Sequence, residues 1–393
     1  MTASRTLRGQ VAIAGVGETA YYKHGQSPDA EFKLALKAIL AACADAGVDP
    51  REIDGFSSYA NDRNDPSRLA AALGTQRLRS TQMQWGGGGG GCCAAIANGA
   101  AAIAAGLANC VVAFRALAQG AQGRFGQGVS TAGAPEMAYM TPYGVISPTQ
   151  KYALKIRRFM EEHGVKQEAL RAIALAAYHH AQANPRAVMH GKPLDAAKYD
   201  ASRWIVEPLH LYDVCMENDG AAAVLLVPAE RARALRQKPA YILGAATGSD
   251  HRAGAQPHNA PDYASANFTG VAQDAFRMAG VAPADVGVVQ VYENFTGGVV
   301  MALAEHGFFA PEQANEFVTF ENLIAPAGKL PFNTSGGNLA ECYMHGFELI
   351  VEATRQVRGT STSQAARADV AMVIGAPLVS PVSNLILGSE NTL

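Results

Sequence analysis

The stretch GVAQDAFRMAGVAPADVGVVQVYENF, residues 270–295, decides the fold of this 393-residue chain. Its first part has the apolar spacing of a helix, and its last part has the pattern of a buried strand. The same order occurs near the N-terminus, where a helix predicted over about 29–47 leads into the strand EIDGFSSYA, 52–60. The connections also match, AGVDP at 46–50 and AGVAP at 279–283. One α/β unit used twice is therefore expected, with two similar halves packed against each other.

Further matches extend the repeat along the chain. QVAIAGVGETA at 10–20 and AYILGAATGSD at 240–250 each predict a strand that ends in glycines. GLANCVVAF at 106–114 and ARADVAMVI at 366–374 each predict a strand behind a long helix. The predicted halves are residues 1–237 and 238–393.

The first half also carries an insertion, predicted over about residues 117–208. It contains a polar Gly/Gln stretch at 119–128 and two amphipathic helices, for which Gly164 and Pro185 are stop signals. A second loop, 248–264, has a composition that suggests contact with substrate. Insertions with helices and long loops commonly cover a site on the core, so the insertion is expected to roof a functional cavity.

Composition excludes several classes of function. Hydrophobic residues make up 49% and charged residues 17%, with a formal net charge of −2 and no basic stripe, so no nucleic-acid partner is predicted. The longest apolar run, 94–112, is interrupted by Asn and Gly, and no membrane span or signal peptide is predicted. Six cysteines without paired spacing suggest reduced thiols in a cytoplasm, and ten scattered histidines give no metal site.

The glycine run WGGGGGGCCAA, residues 85–95, is the most unusual segment. A phosphate-binding loop would continue with lysine and a hydroxyl residue, whereas here Cys92 and Cys93 follow, so nucleotide binding is a poor interpretation. A thiol near a helix N-terminus has a lowered pKa and can attack thioesters. Both cysteines also fit the interior of an apolar helix, and the residues alone leave the two interpretations open.

Three later motifs carry a resemblance that covers essentially the whole chain. They are MENDGAAAVLLV at 216–227, VYENFTGG at 291–298 and NTSGGNLAECYMHGFE at 333–348. Together with the helix and strand of 94–112, they resemble the thiolase superfamily, most closely its lipid-transfer-protein branch. The resemblance implies an α/β thiolase-like fold: two similar βαβαβαββ halves in an α-β-α-β-α sandwich with a loop-domain insertion.

The departures from the family pattern define the expected chemistry. The family's spacing puts the nucleophile position at Gly89, so Cys92 and Cys93 fall about one helical turn later. Tyr343 stands where the catalytic histidine is expected, and Tyr292 replaces the first residue of the N-E-x-F-type motif. Gly375 lies about where many thiolases have a second cysteine.

The resemblance to aldolases of steroid side-chain degradation, which carry tyrosines at these positions, implies a carbon–carbon lyase. The expected reaction is retro-aldol cleavage of a β-hydroxyacyl-CoA to a ketone or aldehyde plus propionyl-CoA or acetyl-CoA. Tyr292 and Tyr343 would be the acid–base pair, with a phenolate favoured if Tyr343 begins a helix. Gly89, Gly375 and His345 would hold the thioester. No cofactor is expected, because CoA is part of the substrate.

The same resemblance implies a homodimer through the thiolase core and a complex with a DUF35 protein, which has a zinc ribbon and an OB-fold. Two alternatives stay open from sequence. One is a true thiolase or acyltransferase that uses Cys92 or Cys93 with His345. The other is a non-catalytic acyl-CoA-binding subunit, which would bind the thioester without turnover.

Overall fold

The computed structural model describes residues 6–118, 120, 138–251 and 262–393. The strands are β1 Val11–Glu18, β2 Tyr22–Lys23, β3 Gly55–Tyr59, β4 Ser80–Gln84, β5 Val111–Leu117, β6 Trp204–Val206, β7 Leu209–His210, β8 Asn218–Pro228, β9 Ala240–Gly248, β10 Val288–Val291, β11 Val370–Gly375 and β12 Val382–Gly388. The helices are α1 Glu31–Ala46, α2 Pro66–Leu73, α3 Cys92–Ala104, α4 Pro148–His163, α5 Gln167–Ala183, α6 Ala196–Asp200, α7 Ala229–Ala232, α8 Thr269–Ala279, α9 Thr296–Glu305, α10 Ala314–Phe317, α11 Phe320–Leu323, α12 Gly337–Ala340 and α13 Phe347–Arg358.

The strand order is mirrored about the centre of the molecule. The path runs β10-β11-β12-β9-β1-β8-β5-β3-β4, with β2 beside β8. The strand pairing at the centre of this path is short, because β1 and β9 share only the pairs Ala12–Tyr241 and Ile13–Ala240. On either side of this pairing, β1, β8, β5 and β3 correspond in order to β9, β12, β11 and β10. The predicted duplication is therefore present in the sheet topology.

One strand of the repeat is reduced in the second half. Where the first half has β4 parallel to β3, the second half has a single parallel bridge between Val289 and Phe332. Pro331 precedes the bridge and has no N–H to extend a ladder. The predicted βαβαβαββ pattern is thus complete only in the first half.

The helices form the three helical layers expected of the sandwich. α1 packs on β1, β5 and β8, and α8 packs on β9 and β12, so these two helices cover the outer faces. α3 and α13 each contact strands of both halves, which places them in the central layer. Because α3 is buried between the two halves of the sheet, its sequence is apolar on nearly every side.

Local signals explain the boundaries of the insertion helices. The Ser147 hydroxyl and the Gln150 side chain form a reciprocal capping box at the start of α4. Gly164 ends α4 in the left-handed conformation with φ of 64°. Within the described residues, no helix is long and apolar enough to cross a membrane.

The segment just after the predicted insertion boundary near residue 208 packs with the insertion. β6 pairs with β7, which includes His210, and the core strand β8 begins at Asn218. The bounds of the insertion stay a prediction. Of the Gly/Gln stretch 119–128 only Gly120 lies within the described residues, as do only the two ends of the 248–264 loop. The division at residue 237 stays a prediction.

Candidate active site

A cavity of about 230 Å³ opens where the two halves meet the insertion. The glycine run contributes Gly88 and Gly89, and the segments after β10 and α12 contribute the two tyrosines. The insertion closes the opposite side through α4 and the residues just before β8. The full lining is Gly88, Gly89, Pro148, Thr149, Tyr152, Val214, Cys215, Glu217, Tyr292, Asn294, Phe295, Tyr343, His345, Ala376 and Val379.

Two tyrosine hydroxyls meet in this cavity. Tyr292 directly follows β10, and its N–H donates to the carbonyl of Ile374 at 2.9 Å. Tyr343 lies between α12 and α13, and its N–H donates to Asn218 Oδ1 at 2.9 Å. The two hydroxyl oxygens are 2.9 Å apart and share a hydrogen bond, with the rings edge to face. Residues that are far apart in sequence therefore form one phenol pair at the carboxyl end of β10.

The conformation around Tyr343 corrects one expectation. Tyr343 does not begin a helix, because α12 ends at Ala340 and α13 begins at Phe347. The phenol pair instead lies in buried surroundings. Burial raises the pKa of Tyr292 well above its usual range and also raises the pKa of Tyr343, although the hydrogen bond from Tyr292 lowers the latter. Both groups are therefore neutral phenols at neutral pH.

Gly89 lies against the ring of Tyr292. A methyl group at Gly89 would lie 2.4 Å from Cε2, 2.6 Å from Cζ and 2.7 Å from the hydroxyl oxygen of that ring. The tyrosine therefore occupies the volume that any side chain at position 89 would need. A thiol at 89 and a phenol at 292 exclude each other in this backbone.

The remaining glycines of the run serve close backbone packing. A Cβ at Gly87 would lie 2.4 Å from the Pro381 carbonyl oxygen, and one at Gly90 would lie 2.3 Å from the same atom. The N–H of Gly90 donates to the carbonyl of Gly87 at 2.7 Å. The run thus lets the first half approach the loop between β11 and β12 of the second half.

His345 faces the phenol pair from the next turn of chain. Its ring centroid is 5.5 Å from that of Tyr343 and 6.3 Å from that of Tyr292. The residue is held in the left-handed region, with φ of 59°, and its carbonyl accepts the Tyr59 hydroxyl at 2.8 Å. Burial lowers the pKa of His345 well below its usual range, so the ring is neutral.

Gly375 is placed differently from the expected thioester contact. It ends β11, and a Cβ there would lie 2.9 Å from Cys92 Sγ and 3.0 Å from the Ser383 carbonyl. The next residue, Ala376, lines the cavity instead. Gly375, the position expected from the family motif, therefore lies one residue before the residue that lines the cavity.

The two adjacent cysteines open α3 beneath the glycine run. Both are fully buried and neither lines the cavity. Their sulfur atoms are 3.8 Å apart, and the Cys93 thiol also contacts the carbonyl of Val373 at 3.7 Å. Burial raises the pKa of Cys93 well above its usual range. This is the environment of inert core thiols.

Sequence reasoning expected the insertion to cover the cavity but did not identify the residues that line it. Tyr152 and Thr149 come from the first two turns of α4, and Tyr152 packs on Phe295 with ring centroids 5.6 Å apart. Val214 and Glu217 come from the segment directly before β8. The amphipathic pattern and the stop signal at Gly164 located α4 in the sequence, but only the tertiary fold brings the start of this helix to the tyrosines.

The comparisons with known proteins agree with this architecture. Residues 246–388 match the family model described as "Thiolase C-terminal domain-like". The structure of human mitochondrial 3-ketoacyl-CoA thiolase superposes with a TM-score of 0.69 at 14% identity, over 98% of this chain and 100% of that one. The class is therefore the thiolase fold, as the sequence predicted.

More similar relatives define the branch. A protein from Thermomonospora curvata named "Steroid side-chain-cleaving aldolase" is 38% identical over 98% of this chain and 99% of its own length. A Mycobacterium tuberculosis protein named "17-hydroxy-3-oxo-4-pregnene-20-carboxyl-CoA lyase" is 36% identical over 97% and 100%. A chain of the solved structure of the "Ltp2-ChsH2(DUF35) aldolase" superposes with a TM-score of 0.91 at 36% identity, covering 99% and 100%. The chain belongs to the lipid-transfer-protein-type aldolases of the thiolase superfamily.

Proposed function

We propose that this chain cleaves the carbon–carbon bond of a steroid side-chain β-hydroxyacyl-CoA by a retro-aldol reaction. The products are a ketone or aldehyde and propionyl-CoA or acetyl-CoA. The observation that carries the proposal is the phenol pair, Tyr292 and Tyr343, joined at 2.9 Å in a largely apolar cavity. The named activities of the full-length relatives support the same reaction class.

The pair can move the required proton without forming a phenolate in the resting enzyme. The β-hydroxyl gives its proton to one phenol, which passes its own proton along the hydrogen bond to the other. The second phenol delivers its proton to the α-carbon. The electron pair of the Cα–Cβ bond enters the thioester as an enolate, while the β-carbon becomes a carbonyl. Each phenol gains and loses one proton, which suits groups whose pKa is raised by burial.

The thioester enolate needs hydrogen-bond donors while it exists. We assign this role to the N–H groups of Gly88 and Gly89 and to the neutral ring of His345, all of which line the cavity. The Gly90 N–H is already used within the run. We propose no cofactor beyond the CoA of the substrate.

The buried thiols weigh against the thiolase alternative. A nucleophilic cysteine must reach the thioester carbonyl, whereas Cys92 and Cys93 are fully buried, and a Cβ at Gly346 would lie 3.2 Å from Cys92 Sγ. Cys215 does line the cavity, but burial raises the pKa of its thiol well above its usual range. The tyrosine pair is the better candidate for the reacting groups.

We further propose a homodimer through the N-terminal core and a complex with a DUF35 protein. β4 is an edge strand of the described sheet, and it leads into Trp85, whose surface is 89% exposed. Exposed strand edges with large apolar side chains are typical of pairing surfaces. The name of the similar solved structure, "Ltp2-ChsH2(DUF35) aldolase", includes a DUF35 protein, which supports a partner of this type. All six cysteines are free, which suits the cytoplasm as the compartment.

The test is a cleavage assay without free CoA. The chain is purified with a DUF35 partner and incubated with a branched β-hydroxyacyl-CoA, and products are identified by mass spectrometry. Release of a short acyl-CoA and a ketone is expected, because a retro-aldol reaction needs no CoA acceptor.

Two other outcomes would overturn the proposal. Cleavage of a β-ketoacyl-CoA only after CoA is added would indicate thiolysis by a cysteine. Tight binding of acyl-CoA with no product in either assay would indicate a non-catalytic subunit.

A further inference from the structure

Asp213 accepts several buried hydrogen bonds directly before the cavity-lining residue Val214. Its carboxylate is fully buried and accepts the Tyr199 hydroxyl at 2.7 and 2.8 Å, the Thr296 hydroxyl at 2.6 Å and the His210 N–H at 2.7 Å. Tyr199 belongs to the insertion helix α6, whereas Thr296 is the first residue of the core helix α9. One carboxylate therefore joins the insertion to the core.

The next residues, 214–217, form what we call the wall strip of the cavity. Val214 makes an antiparallel bridge with Phe295, and the N–H of Cys215 donates to the Asn294 carbonyl at 3.1 Å. Val214 and Cys215 both line the cavity opposite the tyrosines. The strip thus runs along the segment that carries Tyr292.

The far end of the strip reaches the other tyrosine. The N–H of Met216 donates to the Asn338 carbonyl at 3.1 Å, and Asn218, which follows the strip, accepts the N–H of Tyr343. The strip therefore bridges the two segments that bear the phenols. Its near end is fixed to the core side chains by Asp213 and Thr296.

We infer that Asp213 is a positioning residue: its carboxylate fastens the wall strip against the Tyr292 segment and so sets the shape of the acyl cavity. The inference rests on the proposed function for its effect on substrate. A carboxylate can accept all three donors at once, whereas an amide has one accepting oxygen and presents N–H groups to the rest. Asp213→Asn keeps the volume but cannot satisfy these donors, and the strip is expected to loosen.

The direct readout is the thiol of Cys215. It lies in the strip and is the one partly exposed cysteine, since the other five are buried. In Asp213→Asn, its labelling by N-ethylmaleimide, located by mass spectrometry, is expected to accelerate about tenfold, the scale of one lost hydrogen bond to a charged group. The KM for the β-hydroxyacyl-CoA should rise by a similar factor, about tenfold, with a smaller change in kcat, because the phenols themselves are unaltered.

Matched variants separate positioning from general stability. Thr296→Val removes the core-side donor and should reproduce both effects, whereas Thr296→Ser keeps the hydroxyl and should behave as wild type. Asp200→Asn removes an exposed insertion carboxylate that pairs with Arg171 at 2.7 Å, and should change neither readout. If Asp213→Asn fails to fold, the two Thr296 variants decide the question.

Unchanged labelling and KM in both Asp213→Asn and Thr296→Val would overturn the inference. Equal acceleration at the buried Cys110 would also overturn it, because that result means global loosening. The labelling experiment does not depend on turnover. A wild-type chain without lyase activity but with the expected labelling pattern would therefore refute the proposed function and leave the positioning role standing.

Discussion

Replacement of Gly89 by alanine tests the proposed coupling between the glycine run and Tyr292. The added methyl group would lie 2.4 Å from Cε2 of the ring, whereas ordinary contact begins at 3.4 Å, so the ring or the run must shift by about 1 Å. A misplacement of this size can cost about 100-fold in rate. Forced packing of one methyl group costs about 1–3 kcal/mol of stability.

The expected result for Gly89→Ala is therefore a loss of about 100-fold in kcat for cleavage, measured by release of the short acyl-CoA. Gly248→Ala is the control for stability, because its Cβ would meet only Val271 Cγ2 at 3.6 Å. Tyr292→Ala removes the ring that the new methyl group would meet, so Gly89→Ala should lower thermal stability less in the Tyr292→Ala background than in the wild type. Wild-type turnover by Gly89→Ala would refute the placement of the Tyr292 ring against residue 89.

Other expectations follow from the same site. In the reverse direction, the relay needs the carbonyl oxygen of the ketone to take up the proton that leaves the α-carbon of propionyl-CoA. The enzyme should therefore exchange this proton with solvent deuterium when the ketone is present, and equally fast exchange without ketone, measured by NMR, would contradict the relay. Because burial raises the pKa of both phenols, kcat should not climb tenfold per pH unit between about pH 7 and 9, as a phenolate base would require. Burial raises the pKa of Glu293 to about 7. The contribution of Glu293 to the free energy of unfolding is therefore lost as the pH rises from about 4 to about 7. Glu293→Gln should flatten the pH dependence of chemical unfolding between these two pH values. Cys92→Ala should retain cleavage within a few-fold, and a loss comparable to that of a tyrosine variant would revive the thiol mechanism.

Much of the fold follows from local sequence signals. The match of AGVDP at 46–50 to AGVAP at 279–283 predicted two halves, and the mirrored strand order confirms the repeat. Gly47 and Gly280 both end their helices in the left-handed conformation, so the matched glycines have one physical role. In the second half, the strand that corresponds to β4 is reduced to one parallel bridge, because Pro331 has no N–H to donate and the Asn333 side chain accepts the N–H of Val291.

Site residues that lie within family motifs could be predicted from the sequence. Site residues that reach the cavity only through tertiary contacts could not. The family motifs singled out Tyr292 and Tyr343, and the structure brings their hydroxyls together. The expected helix start at Tyr343 was wrong, because the chain between α12 and α13 is irregular. The residues 214–217 were missed because their partners, such as Phe295, are distant in sequence.

The pKa shifts also required the structure. Sequence suggested a helix N-terminus that would stabilise a phenolate, but burial dominates and raises the pKa of both phenols. The amount of burial depends on the insertion, which covers the cavity with Tyr152 and Val214. No local pattern at either tyrosine carries that information.

The central claim is that the two phenols act as one proton-transfer unit, and single-turnover cleavage by Tyr292→Phe, Tyr343→Phe and the double variant tests it most directly. Each single change should lower the rate by about 100- to 10,000-fold, the usual contribution of general acid–base catalysis. The double variant should be no slower than the worse single variant, because one missing hydroxyl already breaks the relay. Near wild-type cleavage by either single variant, or losses that multiply in the double variant, would contradict the account.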